Sequence, residues 1–279
     1  MTVNNVLSHA IRQESQALVL PDGEELQILT IRAVEAFSTA EGTSLLDVEK
    51  AALEQDILPE RYVRNHSLLS LKDQYTLLCS KVFVVGLGGL GGHVVELLAR
   101  LGVGTIVGAD GDFFEPTNLN RQLNATLDTL GEKKAKCAER RLHRVNPSIN
   151  FIGVDHFLRG DALQDYAKLV DVVVDCLGGL DTRLELQTAC AACHVPMVTA
   201  AIAGLSGYVG TILPEATGPA EVFGTGHAAE DTLGTPSPSV TFAASLQANE
   251  VLKNLCWNTP SPKLLFFDLA DMSFQHVEL

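Results

Sequence analysis

The chain has 279 residues, is 46% hydrophobic and carries a formal net charge of −14. That length supports one large α/β domain with a modest appendage. The acidity argues against a nucleic-acid role, in which clustered lysine and arginine dominate phosphate binding. No apolar run reaches membrane-spanning length and no basic, apolar leader opens the sequence, so a cytoplasmic protein without a membrane role is expected.

The first sixty residues hold eleven acids against three basic side chains. Val3, Val6, Leu7, Ala10 and Ile11 share one helix face, Pro21-Asp22-Gly23 makes a turn, and Leu26, Leu29 and Ala33 begin a second helical face. Ser44 is placed to cap a third helix through Lys50 to Leu53. Three short helices also suggest a DNA-binding helix-turn-helix, which their acidity opposes. Residues 1–60 are therefore expected to be a helical N-terminal extension that packs on the domain that follows, residues 61–279, or on a dimer partner, with docking of a carrier or downstream enzyme as the alternative.

Lys81-Val-Phe-Val-Val-Gly86-Leu-Gly88-Gly89-Leu-Gly91-Gly92 is the most informative stretch: a short apolar run followed by closely spaced glycines. Such a run is a buried strand turning into a helix whose free N–H groups and dipole end attract a phosphate. The glycines alone also fit a tight turn that binds nothing. Thr105 to Asp110 reads as a second strand ending in an acid, the residue type that hydrogen-bonds a ribose hydroxyl in NAD, FAD and ATP sites alike. Arg121 and Lys134 follow, and a redox dinucleotide fold has no particular need of them. An NAD-dependent oxidoreductase is therefore disfavoured.

Further strands are expected near Asn150 to Val154, Val172 to Cys176 and Met197 to Ile202, each separated by helical patterns. Shorter alternating strands follow at Gly207 to Leu213, Leu264 to Asp268 and Ser273 to Val277, with a helix at Thr241 to Asn254. The expected fold class is α/β: a doubly wound, mostly parallel Rossmann-like sheet, with a mixed or antiparallel C-terminal extension and a small N-terminal segment.

From Arg61-Tyr-Val-Arg64-Asn, through the glycine loop, Asn118-Leu-Asn-Arg121-Gln, Gly131-Glu-Lys-Lys134 and Asn146-Pro147, to Leu264-Leu-Phe-Phe-Asp268, the chain resembles the ThiF/MoeB/HesA family of ubiquitin-activating-enzyme-like adenylyltransferases. The resemblance implies ATP-dependent activation of the C-terminal Gly-Gly carboxylate of a ubiquitin-like or sulfur-carrier protein, giving an acyl-adenylate and pyrophosphate. By matching position, Gly86, Gly88, Gly89 and Gly91 would form the ATP loop, with Asp112 also at the nucleotide and Asp110 on the ribose. Asn118, Arg121 and Lys134 would contact the phosphates and stabilise charge during transfer. Arg64 would act as an arginine finger reaching across a homodimer interface.

One departure stands out. In the family the loop after the Asp175-Cys176 pair ends in Asp-Asn, and that Asp helps coordinate Mg²⁺. Here Gly178 and Gly179 occupy those positions. Asp181, three residues on and within roughly 10 Å of extended chain, is the candidate replacement for Mg²⁺, with helix capping as its competing role. Asp112 and Asp175 are further carboxylates for the metal. The alternative function is a nucleotide-binding scaffold without efficient chemistry.

The six cysteines read as reduced thiols, without the paired Cys-x-x-Cys motifs that hold structural zinc in many relatives, so no zinc is expected. None lies between Cys193 and Cys256, where some relatives carry an acceptor thiol. Cys190-Ala-Ala-Cys193-His194 matches a haem-attachment pattern, but it falls between a helix and a sheet strand in a chain with no export signal.

Overall fold

The computed structural model describes residues 3–179, 181–223, 229–260 and 263–278. In chain order the elements are α1 (Val3–Glu14), β1 (Gln16–Val19), β2 (Glu25–Leu29), α2 (Ile31–Glu41), α3 (Leu45–Leu53), β3 (Leu58–Pro59), α4 (Leu71–Cys79), β4 (Lys81–Val85), α5 (Gly89–Leu101), β5 (Thr105–Ala109) and α6 (Lys134–Val145). They continue with β6 (Asn150–Val154), α7 (Asp161–Ala167), β7 (Val172–Asp175), α8 (Asp181–Ala192), β8 (Met197–Ala203), β9 (Ser206–Ile212), α9 (Pro219–Phe223), α10 (Ala229–Leu233), α11 (Ser237–Leu252), β10 (Leu264–Asp268) and β11 (Ser273–Val277).

Strand β4 organises the main sheet because it is apolar on both faces, as a strand covered by helices on either side must be. Val82 and Val84 join one core with Val94, Leu98, Ala138 and Val251 from α5, α6 and α11. Phe83 and Val85 point into the opposite core with Leu163 of α7 and Leu186 and Ala189 of α8. The eight strands run in the order β11-β10-β9-β8-β7-β4-β5-β6. Strands β8, β7, β4, β5 and β6 pair in parallel, while β9, β10 and β11 add antiparallel hairpins. The chain leaves β4 toward β5 and β6, then returns to β4's other side as β7. That reversal opens a crevice beyond the carboxyl ends of β4 and β7, where ligands of open α/β sheets bind. Among the described residues, no helix is long and apolar enough to cross a membrane.

The N-terminal segment is not purely helical. Pro21-Asp22-Gly23 turns a β-hairpin, in which Gln16 pairs with Ile28 and Val19 with Glu25, and β3 joins the hairpin in parallel. Gly23 adopts φ +90° there and donates its N–H to Leu20 O. The physical reason is the alternation of Leu26 and Ile28, both buried, with exposed Gln27. Leu26, Leu29 and Ala33 are also spaced like a helix face, but only Ala33 lies in one, after Thr30 caps α2. Ser44 caps α3 through Asp47 N–H as expected. Ile11, Leu29, Val34, Val48, Ala52 and Ile57 form a small core of their own.

This unit is joined to the main sheet by a buried polar network. Glu49, fully buried, accepts hydrogen bonds from Arg61 Nε (2.9 Å), Tyr62 Oη (3.1 Å) and Ser148 Oγ (2.6 Å). Asn146, just after α6, donates to Tyr62 Oη and Ala99 O. Burial lifts the Glu49 carboxyl above its ordinary range, against the pull of Arg61, Ser148 and Tyr62 in the other direction.

Candidate active site

The crevice between β4 and β7 is a cavity of about 370 Å³. Its floor is the turn after β4. Gly86 adopts φ +92°, and a Cβ there would lie 2.5 Å from Cys176 O, so the two strand ends approach to a distance only glycine allows. Gly91 serves packing: a Cβ on it would sit 1.8 Å from Gly86 O. Gly88 and Gly89 line the cavity and begin α5, whose N-terminus has no side-chain cap. Its first N–H groups therefore face the cavity mouth as donors for an anion.

Asp110, at the end of β5, lines the same cavity. Its carboxylate accepts Leu87 N–H and Asp112 N–H, each at 2.8 Å. Those two bonds hold the glycine turn against the β5 end and leave lone pairs for a ligand hydroxyl. Lys134 is buried at the start of α6, with Nζ 3.1 Å from Asp112 Oδ2. Arg121 lines the opposite wall, donating to Thr117 O and Asn120 Oδ1, both uncharged acceptors. Its charge is thus left for a ligand. Lys133 is half-buried: it donates to Gly111 O at 2.6 Å and its Nζ stands 4.1 Å from the Phe113 ring centroid.

Gly86, Gly88, Gly89, Asp110, Asp112, Arg121 and Lys134 are thus gathered around one cavity. Three sequence candidates stand apart from its lining. Gly91 packs beneath it. Asn118 is buried in a short turn, where its Oδ1 accepts Glu115 N–H at 3.1 Å. Arg64 is exposed on the turn at Glu60–Asn65.

Of the carboxylates considered for Mg²⁺, Asp175 is committed elsewhere. It is 1% exposed, accepts Thr199 Oγ1 at 2.7 Å and Leu177 N–H at 3.1 Å, and pairs with Arg183 Nη1 at 3.1 Å. Arg183 in turn donates to Gly179 O, Leu177 O and Ala200 O. The ion pair thereby shapes the Cys176–Gly179 loop into the cavity wall. Asp181 begins α8, but its side chain lies outside the described residues. Among the described residues, no group of three His, Cys, Asp or Glu is arranged to hold a metal.

Several lining residues carry no warning in the sequence motifs: His156, Phe157, Arg159, Glu230 and Thr235. Phe157 and Arg159 follow β6, so the rule that ligands meet the carboxyl ends of parallel strands was their available signal. Gln122 is 7% exposed, yet its Oε1 has no hydrogen-bond partner among the described residues. Such an orphan acceptor is costly unless a ligand or water meets it. The Cys-x-x-Cys-His segment does not reach the cavity. Burial pushes the Cys190 thiol up to about 12.

The model of the ThiF family matches residues 62–279, from Tyr62 of the buried network to the C-terminus. The chain belongs to the ThiF family. The sulfur carrier protein ThiS adenylyltransferase of Escherichia coli K12 is 35% identical over 216 residues, covering 75% of this chain and 86% of that protein. The SAMP-activating enzyme E1 of Haloferax volcanii is 32% identical, covering 73% and 78% respectively. Among solved structures, PaaA superposes with a TM-score of 0.67 at 19% identity over 95% of this chain and 98% of its own. E. coli MccB with ATP gives 0.64 at 22% identity over 88% and 78%. The fold likeness to PaaA therefore extends beyond the ThiF match into the N-terminal unit.

Proposed function

We propose that this ThiF-family member uses ATP to adenylate the C-terminal Gly-Gly carboxylate of a ubiquitin-like or sulfur-carrier protein. The observation that carries the reading is the convergence of Asp110, Arg121, Lys134 and the uncapped N-terminus of α5 on one cavity. Relatives named as adenylyltransferases of sulfur-carrier proteins support the substrate class.

In this reading Asp110 accepts the ribose hydroxyls, while the backbone at Gly88 and Gly89 meets the phosphates. A carboxylate oxygen of the carrier attacks the α-phosphorus, the bond to the β-phosphate bridging oxygen breaks, and pyrophosphate leaves with its electrons. Arg121 and Lys134 stabilise the charge that builds on the transferring and leaving groups. Lys134 exchanges its Asp112 partner for phosphate oxygen. Asn118 acts by holding the turn that presents Arg121. Arg64, exposed and outside its own chain's cavity, serves a homodimer in which it reaches the partner's site.

Magnesium fits the donor chemistry present, since such ions bind through one or two carboxylates together with phosphates and water. Asp112 and Glu230 are the lining carboxylates open to it. When bound, the ion would neutralise phosphate charge. The crossover from β9 to α11 carries no cysteine, so the adenylate is passed to a separate thiol or amine.

The test is exchange of labelled pyrophosphate into ATP. Exchange that requires a carrier ending in Gly-Gly, and stops when those two residues are removed, is the expected result. ATP binding without exchange would favour the second reading raised by Gly178, a nucleotide-binding scaffold. Tight NAD binding without ATP binding would overturn both.

A further inference from the structure

The cavity also holds a carboxylate that comes from a distant part of the chain. Glu230, in the first turn of α10, lines it together with Gly178, Arg121 and Lys134. A Cβ built on Gly178 would stand 3.3 Å from Glu230 Oε1. The carboxylate thus occupies the space that a side chain at position 178 would enter. Gly178 does not have positive φ, so the missing side chain is not a requirement of its backbone.

Two hydrogen bonds just beyond α10 hold the segment over the cavity. Gly204 N–H donates to Gly234 O at 2.8 Å, and Asn120 Nδ2 donates to Thr235 O at 3.3 Å. The Glu230 carboxylate acts electrostatically on Arg183 across the cavity, but among the described residues it makes no hydrogen bond or salt bridge of its own. Of the cations lining the cavity, Lys134 is paired with Asp112 and Arg183 with Asp175, while Arg121 donates only to uncharged acceptors. Gln122 Oε1, buried in the same cavity without a partner, independently marks it as a place where a ligand completes the polar contacts.

A carboxylate beside a triphosphate is repelled unless a cation lies between them. A divalent ion carried by the phosphates satisfies both groups, and needs only one or two protein carboxylates. We propose that Glu230 is the carboxylate that engages the divalent cation of bound ATP, delivered by the crossover segment to the place that Gly178 leaves vacant. This rests on the ATP-dependent reading above. It assigns the metal contact to Glu230 and not to Asp175, which is locked to Arg183.

The experiment uses the full chain with Mn²⁺ as the probe. ATP affinity is measured by calorimetry in EDTA, and Mn²⁺ affinity of the protein–ATP complex by its electron paramagnetic resonance spectrum. In Glu230→Gln, metal-free ATP affinity is expected to stay within about twofold while Mn²⁺ affinity falls roughly 10- to 100-fold. Glu230→Ala combined with Gly178→Asp should recover most of that loss, because removing the longer side chain frees the space for the shorter one. Unchanged Mn²⁺ affinity in Glu230→Gln would overturn the proposal alone. So would a loss of metal-free ATP binding, or a Mn²⁺ defect that Gly178→Asp fails to repair, since each marks Glu230 as a support of the wall. Failure of the unmodified protein to bind ATP at all would overturn the adenylation reading together with it.

Discussion

Two carboxylates, Glu49 and Asp175, are buried to the same degree and put to different uses. Glu49 gathers donors from two separate stretches, Arg61–Tyr62 and Ser148, and joins the N-terminal unit to the end of α6. Asp175 gathers Thr199, Leu177 N–H and Arg183, and Arg183 spends its remaining donors on the loop that walls the cavity and on Ala200 O of β8. The first network is a lock between units, whereas the second shapes a binding wall. The difference lies in what the cationic partner does with its spare N–H groups, since a guanidinium has five.

Removing that cation is the sharpest way to break the comparison. Arg183→Met leaves Asp175 as an uncompensated buried charge and frees two loop carbonyls, Leu177 O and Gly179 O, and one of β8, Ala200 O. We expect a loss of about 3–5 kcal/mol in urea unfolding, together with loss of ATP binding. A variant that stays stable but no longer binds ATP would show that Arg183 shapes the wall without supporting the fold.

Lys134→Ala should separate function from stability. Its partner Asp112 is half-exposed, with 54% of its side chain accessible, so the pair contributes little to folding. Pyrophosphate exchange should fall roughly 10²- to 10³-fold, the usual effect of deleting one donor to developing charge. An exchange rate within threefold of the unmodified protein would remove Lys134 from the phosphate site.

Glu49→Gln is expected to destabilise by about 1–3 kcal/mol, while ATP affinity measured by calorimetry stays unchanged. A change in ATP affinity would mean that the seam and the cavity are coupled, and that the two networks are not separate devices.

The sequence made the cavity side legible and the seam nearly silent. Strands β4, β5 and β7 stand out because strands buried on both faces read as continuous apolar runs, and Gly86 and Gly91 after β4 are dictated by backbone approaches that no other residue permits. Asp110, Arg121 and Lys134 follow at positions set by strand ends and a helix start. Glu230 was not legible, because no local pattern links an acid on a crossover segment to the gap at Gly178. The β1–β2 hairpin was misjudged since Leu26, Leu29 and Ala33 satisfy a helical spacing as readily as a strand's alternation over so short a run. Nor could spacing reveal that Glu49, in an acidic segment that reads as a solvated face, is the one whose side chain points inward to Tyr62.

The smallest effect expected is the pH dependence of that seam. Burial holds the Glu49 carboxyl above its ordinary value of 4.5, outweighing Arg61, Ser148 and Tyr62, whereas in the unfolded chain it returns to that value. Between the two values the folded protein binds more protons than the unfolded one, so the free energy of unfolding falls as pH rises through this window. The contribution from Glu49 is complete below about pH 4.5, declines as pH climbs through the raised value, and is level above it. Glu49→Gln has no proton to exchange at this position. The stability difference between the two proteins, followed by urea unfolding from roughly pH 4 to pH 8, should therefore shrink or turn in favour of Gln as pH rises. A difference that grows with pH would mean that the Arg61 ion pair outweighs burial. In that case the seam would be held by charge, as the cavity wall is, and the contrast between the two networks would rest on geometry alone.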